Sequence, residues 1–324
     1  MLTISDYNKI IEKGLKEISF SGNPSSLYDP VNYMMSLGGK RIRPIFTLLA
    51  NELFGGDMEN AIKPALAMEV FHNFTLVHDD ILDRSELRRG NATVHKKWNE
   101  GTAILSGDVM LVLAYELLSE ISPEKLPVVL NIFNATAKKV CEGQQLDMMY
   151  ENTDEVSLDQ YIEMIGKKTA ALFAGSLKMG ALLAGSKPED AENLYLFGHY
   201  AGIAFQVQDD LLDAYGEAGQ WGKKIGGDID SNKKTFLAVK ALELAEGDNL
   251  KELKYLSRNK EIDSEMRILK TISIYNSLSI RKISEEARDM YFNTALDCLQ
   301  KINVKEERKQ NLKEIAGALI NRER

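Results

Sequence analysis

Residues 71–83 read FHNFTLVHDDILD, and this stretch decides how the chain is interpreted. Its acidic pattern, Asp-Asp-apolar-apolar-Asp, returns at residues 209–213. Each copy ends a long segment with apolar residues at helical spacing, so both copies are predicted to lie at the C-terminal ends of helices. The first and last aspartates of each copy are four residues apart and therefore share one face of their helix.

Carboxylates in this position are unfavourable unless something compensates them. Negative charges near a helix C-terminus oppose the helix dipole by about 0.3–1 kcal/mol each, and like charges four residues apart repel one another. Divalent cations with oxygen ligands would offset this cost. One copy alone is most simply a solvated helix end, whereas two copies favour a metal site to which both contribute.

Composition excludes several classes of function. The chain has 324 residues and a net charge of −8, so no general attraction to nucleic acids or anionic membranes is expected. The two cysteines, Cys141 and Cys298, lack metal-ligand spacing and fit a reduced, cytoplasmic protein. No signal peptide and no run of 18 apolar residues is visible, so no transmembrane segment is predicted.

Helical periodicity dominates the chain, and no alternating strand pattern of useful length is found. A single all-α domain over residues 1–324 is predicted, because both acidic motifs must meet in one cavity to explain each other. Residues 84–101 and 214–234 are predicted loops. The predicted helices are 4–20, 31–37, Pro44 to about Phe54, 60–82, 102–120, 124–150, 157–184 and 188–213, followed by shorter charged helices to residue 321.

Basic residues gather in the loops beside the two acidic motifs. They are Lys40, Arg41, Arg43, Arg88, Arg89, Lys167, Lys168, Lys223, Lys224, Lys233 and Lys234. Each one alone is ordinarily a solvated charge. Glycines beside arginines matter more, because bare backbone can approach a phosphate that a guanidinium chelates. The combination suggests a polyphosphate ligand, bound partly through Mg²⁺ and partly directly.

Seven short sequence motifs occur one after another along the chain. They are GGKRIRP at 38–44, His72, DDILD at 79–83, RRG at 88–90, GQQLD at 143–147, KT at 168–169 and FQVQDDLLD at 205–213. Over roughly residues 35–240, this set resembles the trans-isoprenyl diphosphate synthases of the polyprenyl synthetase family. The short-chain geranylgeranyl and farnesyl diphosphate synthases are the most similar.

The resemblance implies a fold and a reaction. The fold would be an isoprenoid-synthase-type bundle of about a dozen helices around a deep central cavity, usually as a homodimer. The reaction would be head-to-tail condensation of isopentenyl diphosphate with an allylic diphosphate such as dimethylallyl, geranyl or farnesyl diphosphate. The products would be a short all-trans prenyl diphosphate and pyrophosphate.

The resemblance also implies a role for individual residues. About three Mg²⁺ ions would be held by Asp79, Asp83, Asp147, Asp209 and Asp213, with Asp80 and Asp210 assisting catalysis beside them. Isopentenyl diphosphate would be bound by Lys40, Arg43, His72 and Arg89. The allylic diphosphate would be bound by Arg88, Lys168, Thr169, Gln206, Lys223 and Lys233. The doubled lysines at 223–224 and 233–234 leave open which member of each pair is the ligand.

Product length is predicted from the residues that precede Asp79. Going back along the helix moves about 1.5 Å per residue down the cavity. Thr75 falls on nearly the same face as Asp79, while Phe74 and Phe71 lie deeper and on the flank. Aromatic bulk at the fifth position before the motif resembles geranylgeranyl diphosphate synthases and favours a C20 product over C15. The alternative that Phe74 packs outward against a neighbouring helix stays open.

Three rival functions fit the sequence less well. A terpene cyclase would carry Asn/Asp-x-x-Ser/Thr-x-x-x-Glu as its second metal motif, where this chain has a second DDxxD. A ferritin-like di-metal oxidase needs two Glu-x-x-His helices, and only Glu69 with His72 has that spacing. A non-catalytic partner subunit of a heteromeric synthase typically loses one acidic motif, and both are intact. An active prenyltransferase is therefore favoured.

Overall fold

The computed structural model describes residues 2–151, 153–216, 226–259 and 261–321. Almost all of its regular structure is helical, which confirms the predicted all-α class. The helices are α1 Ile4–Glu17, α2 Ser25–Ser36, α3 Ile42–Leu53, α4 Glu59–Leu82, α5 Val94–Lys97, α6 Glu100–Ser119, α7 Leu126–Glu151, α8 Leu158–Ile165, α9 Ala171–Leu183, α10 Pro188–Tyr215, α11 Gly227–Asp230, α12 Phe236–Leu244, α13 Gly247–Arg258, α14 Ser264–Ser277, α15 Ile280–Gln300 and α16 Glu306–Ile320.

The loop predicted over residues 84–101 contains a small hairpin as well as α5. Its strands, β1 Leu87–Arg88 and β2 Asn91–Ala92, are antiparallel. Arg89 and Gly90 connect them, with φ angles of 53° and 76°. Two consecutive residues with positive φ are typical of a tight two-residue hairpin turn. Strands of two residues are too short to leave an alternating pattern in the sequence, so the hairpin was not predicted.

The helix predicted over residues 157–184 is divided by a π-helical turn, Gly166–Ala170. On α7, an added Cβ at Gly143 would lie 2.2 Å from the backbone nitrogen of Lys168, so only glycine lets the turn approach this closely. Two expectations for the C-terminal part were wrong in detail. The predicted loop 214–234 contains α11, and α15 has 21 residues, so not all the late helices are short.

The chain forms two compact units. The first comprises Met1–Thr136, Leu172–Tyr195 and Leu299–Glu314, and it carries the first acidic motif. The second comprises Ala137–Ala171, Leu196–Cys298 and Ile315–Arg324, and it carries the second acidic motif. The single domain over residues 1–324 stays a prediction.

A buried ion-pair network fixes the Gly-Gly loop inside the first unit. Arg41 is 4% exposed and has a left-handed backbone, with φ of 49°. Its guanidinium donates to Glu69 Oε1 at 2.6 Å and to Glu12 Oε1 at 2.9 Å. Asn73 Nδ2 donates to the same Glu69 oxygen at 3.0 Å. Arg41 thus joins the loop to α1 and α4.

We expect Arg41→Met to destabilise the protein by about 3–5 kcal/mol, because it leaves the Glu69 carboxylate buried and unpaired. Urea unfolding followed by circular dichroism measures this change. The matched control is Lys13→Met, which removes an exposed pair with Glu17 and should cost at most about 1 kcal/mol. Adding Glu69→Gln to Arg41→Met should recover part of the loss. A cost below 1 kcal/mol for Arg41→Met would contradict the structural role.

Candidate active site

The first acidic motif ends α4, and its three aspartates have different environments. Asp79 and the C-cap residue Asp83 are half-exposed, whereas Asp80 is 1% exposed. Arg88 from the hairpin donates to Asp80 Oδ1 through Nη2 at 2.6 Å and through Nε at 3.1 Å. Burial raises the pKa of Asp80, and the Arg88 hydrogen bonds oppose that rise. The middle aspartate therefore holds the hairpin, while the outer two face solvent.

The second motif, near the end of α10, repeats this arrangement. Asp209 and Asp213 are half-exposed, and Asp210 is 4% exposed. Asp210 accepts hydrogen bonds from Tyr161 Oη at 2.6 Å, the Phe236 backbone nitrogen at 2.8 Å and Gln206 Nε2 at 3.0 Å. Burial raises the pKa of Asp210 to about 7, with Asp228 adding to the rise.

The outer carboxylate Asp213 also makes a local contact. Its Oδ2 accepts from the backbone N–H of Asp228 at 3.0 Å, and its carbonyl accepts from the N–H of Gly226 at 2.8 Å. These bonds fix the start of α11 against the end of α10. Lys223, a predicted allylic diphosphate ligand, lies outside the described residues. Lys233 is within them and is half-buried.

The π-helical turn brings together residues that were predicted to bind different ligands. Lys168 forms a salt bridge with Asp147 of α7, whose side chain is 9% exposed. Thr169 Oγ1 donates to Gln206 Oε1 at 2.9 Å. A predicted diphosphate cation and a predicted metal ligand thus neutralise each other.

Cations crowd one region of the first unit. Burial and the charge of Arg89 lower the pKa of Arg43 to about 10, although Glu69 opposes this. The Nε of Arg43 is buried and has no acceptor among the described residues, and its guanidinium lies 4.8 Å from the Phe173 ring centroid. Burial, followed by Arg43 and Arg89, holds the pKa of His72 well below its ordinary value. His72 is therefore neutral at pH 7.

The glycines of the basic loop allow an arginine side chain to approach the backbone closely. Gly38 and Gly39 have φ angles of 74° and 138°, and Arg89 Nη1 donates to the Gly38 carbonyl. A Cβ added at Gly39 would lie 2.8 Å from Arg89 Nη2. The bare backbone at these glycines admits the guanidinium, and its approach to a phosphate stays a prediction. Lys40, next in the loop, is exposed.

The residues predicted to set product length form part of an aromatic cluster. Phe71 is 1% exposed, and its ring centroid lies 5.2 Å from that of Phe133 and 5.5 Å from that of Phe74. Phe74 in turn lies 4.7 Å from the His78 ring. Thr75 donates its hydroxyl hydrogen to the His72 carbonyl at 2.8 Å. Phe71 is therefore a core residue, whereas Phe74 and Thr75 remain half-buried.

Comparison with known proteins identifies the family. The polyprenyl synthetase model matches residues 24–274. The chain belongs to the polyprenyl synthetase family. It is 36% identical over 323 residues to a geranylgeranyl pyrophosphate synthase of Geoglobus acetivorans, covering 99% of this chain and 98% of that one. It is 39% identical over 242 residues to a geranylgeranyl diphosphate synthase of Methanosarcina mazei, covering 74% and 75% of the two chains.

Solved structures of polyprenyl synthetases agree with this assignment. A crystal structure of a geranylgeranyl pyrophosphate synthase superposes with a TM-score of 0.94 at 39% identity and covers 99% of both chains. The geranylgeranyl pyrophosphate synthetase of Pyrococcus horikoshii gives a TM-score of 0.91 at 33% identity, covering 98% of this chain and 97% of that one. The prediction that the chain is a prenyltransferase is confirmed at the level of the family.

The carboxylates of this polyprenyl synthetase suit Mg²⁺, although no group of three or more His, Cys, Asp or Glu side chains is arranged to hold a metal in the part of the chain described. Mg²⁺ is usually bound by one or two carboxylates together with substrate phosphates and water. Half-exposed pairs such as Asp79 with Asp83 offer such an incomplete set. The buried Gln144 Oε1 on α7, three residues before Asp147, also lacks a donor among the described residues.

We expect His72→Gln to change how stability depends on pH. In the unfolded chain the pKa of histidine is about 6.5, and in the folded protein that of His72 is well below this value. Above pH 6.5 neither state binds the proton. As the pH falls below 6.5, the unfolded state binds it first and the wild type loses up to about 1.4 kcal/mol per pH unit. Urea unfolding at pH 7.5 and 5.5 should show a smaller loss in the variant. Equal losses would contradict a buried neutral His72.

Proposed function

We propose that this chain is a Mg²⁺-dependent short-chain trans-prenyl diphosphate synthase. It would condense isopentenyl diphosphate head-to-tail with an allylic diphosphate and release pyrophosphate. The observation that carries this proposal is the shared design of the two acidic motifs, each with a buried middle aspartate and two half-exposed outer ones. The relatives named as geranylgeranyl diphosphate synthases support the same function.

The allylic substrate must lose its diphosphate to give a carbocation. Asp79, Asp83, Asp209 and Asp213, with Asp147, would hold Mg²⁺, which supplies Lewis-acid stabilisation of the leaving group when it is bound. Arg88, fixed in direction by Asp80, would bind the same diphosphate together with Lys168, Thr169, Gln206, Lys233 and Lys223. Asp80 and Asp210 would act as positioning residues, since their carboxylates are already bonded and buried.

The second substrate fits the cation cluster of the first unit. Burial and the charge of Arg89 lower the pKa of Arg43, and partial desolvation with the charges of Arg41 and Arg88 lowers the pKa of Arg89. An added diphosphate would supply negative charge to both. Neutral His72 would donate a hydrogen bond, and Lys40 would reach the diphosphate from the exposed loop. The alkene of isopentenyl diphosphate then attacks the cation. The pyrophosphate already released would accept the proton, so no protein base is required.

We also propose that the enzyme is a cytoplasmic homodimer that pairs through α6. This helix buries one face in the first unit, yet Ile104, Leu105, Val112 and Tyr115 are 38–58% exposed. They lie on one face of α6 and form an apolar stripe that the exposed carboxylate of Asp108 interrupts. In the part of the chain that is described, α6 alone is long and apolar enough to cross a membrane. A second copy of the same helix would cover the stripe, as symmetric dimers require.

Sedimentation velocity tests the dimer. Val112→Asp places a charge in the apolar stripe and should shift the protein to a monomer at micromolar concentration. Leu269→Asp is the control, because Leu269 is 59% exposed on α14, outside the stripe, and should leave the dimer intact. A monomeric wild type, or a dimeric Val112→Asp variant, would contradict the proposed interface.

The metal requirement tests the reaction. We expect EDTA to abolish formation of prenyl diphosphate from isopentenyl diphosphate and an allylic primer, and Mg²⁺ to restore it. Asp79→Ala and Asp209→Ala should each lower turnover at least about 100-fold, because each removes stabilisation of the leaving group. Asp248→Ala, which removes an exposed carboxylate, is the control. Normal turnover in an Asp79→Ala/Asp209→Ala double variant would refute the mechanism.

We propose that the product has 20 carbons and that Phe74 forms the floor of the cavity. The length of the product tests this proposal. Phe74→Ala should lengthen the product, because it removes aromatic bulk five residues before Asp79. Thr75→Phe should shorten the product to C15, because it adds bulk one residue closer to the motif. Mass spectrometry of the dephosphorylated products measures both changes. Identical products from Phe74→Ala and wild type would mean that Phe74 packs outward and does not form the floor.

A further inference from the structure

A cavity of about 260 Å³ lies within the second unit, on residues to which the condensation reaction gives no role apart from Lys233. Its walls come from the segment 229–242, the C-terminal half of α13, the middle of α14 and the residues that follow α7. All of them belong to the same compact unit. The cavity is therefore formed by one part of the fold.

The charge around this cavity is mainly positive. Five cationic side chains line it, against two carboxylates, Glu151 and Asp154. Arg258 and Asp154 form a salt bridge of 2.8 Å at the rim, where both side chains are more than 60% exposed. Such an exposed pair contributes about 0–1 kcal/mol and is easily exchanged for another partner. The rim can therefore release Arg258 to an incoming anion at little cost.

Lys234 is the least exposed of these five cations. It is 8% exposed, yet it takes part in none of the salt bridges or side-chain hydrogen bonds found among the described residues. Burial lowers its pKa, and Asp154 and Glu151 only partly offset this effect. A buried cation without a bonded partner is costly, and proteins rarely keep one without a ligand or a function.

A second donor on the cavity wall is also unsatisfied. The terminal nitrogens of Arg267 are held by Asp230, by the Asn259 carbonyl and by the Ile262 carbonyl. Its Nε is buried and has no acceptor within the described part of the chain. Arg267 is thus rigidly oriented, with one N–H left over. Arg267 therefore lines the cavity in a fixed orientation, beside a Lys234 that has no salt bridge among the described residues.

The remaining walls limit the kind of ligand. Leu242, Leu253 and Leu256 provide an apolar side, and the hydroxyl-bearing residues Thr235 and Thr271 lie among the cations. A volume of about 260 Å³ is below the roughly 300–1,000 Å³ of sites for drug-sized ligands. It is too small for a C15 or C20 chain and suits a compact anion with at most a short apolar group.

We propose that this cavity is a further ligand site that binds a diphosphate group, either as free pyrophosphate or as the head of a five-carbon diphosphate ester. The choice of diphosphate rests on the proposed function, whose substrates and by-product all carry that group. Lys234 would be the principal ligand here, and its neighbour Lys233 the one directed to catalysis. This divides the doubled lysines between two sites.

A ligand in the cavity would affect the second acidic motif through the segment 234–236, which contacts both. Phe236, two residues after Lys234, donates its backbone N–H to Asp210 at 2.8 Å. A ligand held by Lys234 would restrain this segment and therefore the anchor of the second acidic motif. The site is suited to sense the concentration of a substrate or of the released pyrophosphate.

Hydrogen–deuterium exchange with mass spectrometry tests the site directly. The full-length protein is incubated in EDTA with inorganic pyrophosphate, with isopentenyl diphosphate or with isopentenol, and exchange is read in peptides covering 253–258 and 267–275. We expect both diphosphates to slow exchange there at least threefold, and isopentenol to have no effect. Slower exchange with the ester than with pyrophosphate assigns a role to the apolar wall, and equal slowing assigns the site to pyrophosphate itself.

Variants decide whether Lys234 is responsible. Lys234→Met should abolish the protection, Lys234→Arg should retain it, and Lys251→Met, an exposed lysine on the same α13, should behave as wild type. Circular dichroism checks that each variant is folded. Protection that persists in Lys234→Met, or its absence from the wild type at millimolar ligand, would overturn the proposal. Because no Mg²⁺ or turnover is involved, this outcome is independent of the test of synthase activity.

Discussion

The structure depends on where a helix places three aspartates spaced as Asp-Asp-x-x-Asp. Successive residues turn by about 100°, so the middle aspartate cannot share the face of the outer two. In both motifs that middle side chain is buried, and each meets a different partner: Arg88 for Asp80, and Tyr161 with the Phe236 backbone for Asp210. The motif therefore combines a buried anchor with two half-exposed carboxylates that are candidate ligands. The outer carboxylates are held in place because the inner one is fixed.

The anchors connect the motifs to the basic segments. Asp80 orients Arg88 and, through the hairpin turn, places Arg89 against the Gly38 carbonyl. Asp210 fixes the chain just after Lys233 and Lys234. Arg41 differs from its neighbours because Glu69 neutralises it, and it holds the loop that carries Arg43. In this way buried carboxylates position the basic segments, through ion pairs at Asp80 and Glu69 and through hydrogen bonds at Asp210.

Helical periodicity was sufficient to predict most of the fold, because long amphipathic or buried helices repeat every 3.6 residues. The hairpin and the π-helical turn were missed because each depends on a few residues whose pattern has no period. The candidate site residues were predicted from type and order, with Asp80 and Asp210 already set apart from the metal ligands, but the partners that fix these two carboxylates were not predicted. Spacing alone indicates that Asp79 and Asp83 share a face. It does not reveal that Tyr161 and Phe236, far away in the sequence, enclose Asp210.

The same limit applies to lysines and arginines, whose functions depend on whether a counter-charge is near. In sequence, Lys40, Arg41 and Arg43 form one basic run, and Lys233 and Lys234 form another. In the fold, Arg41 is neutralised by carboxylates, Arg43 stacks on Phe173 with its Nε unsatisfied, and Lys234 is buried beside a separate cavity. A buried cation without a bonded acceptor is costly for the protein alone, and an anionic ligand removes that cost. Arg43 and Lys234 are candidate anion ligands for the same physical reason, one in each unit.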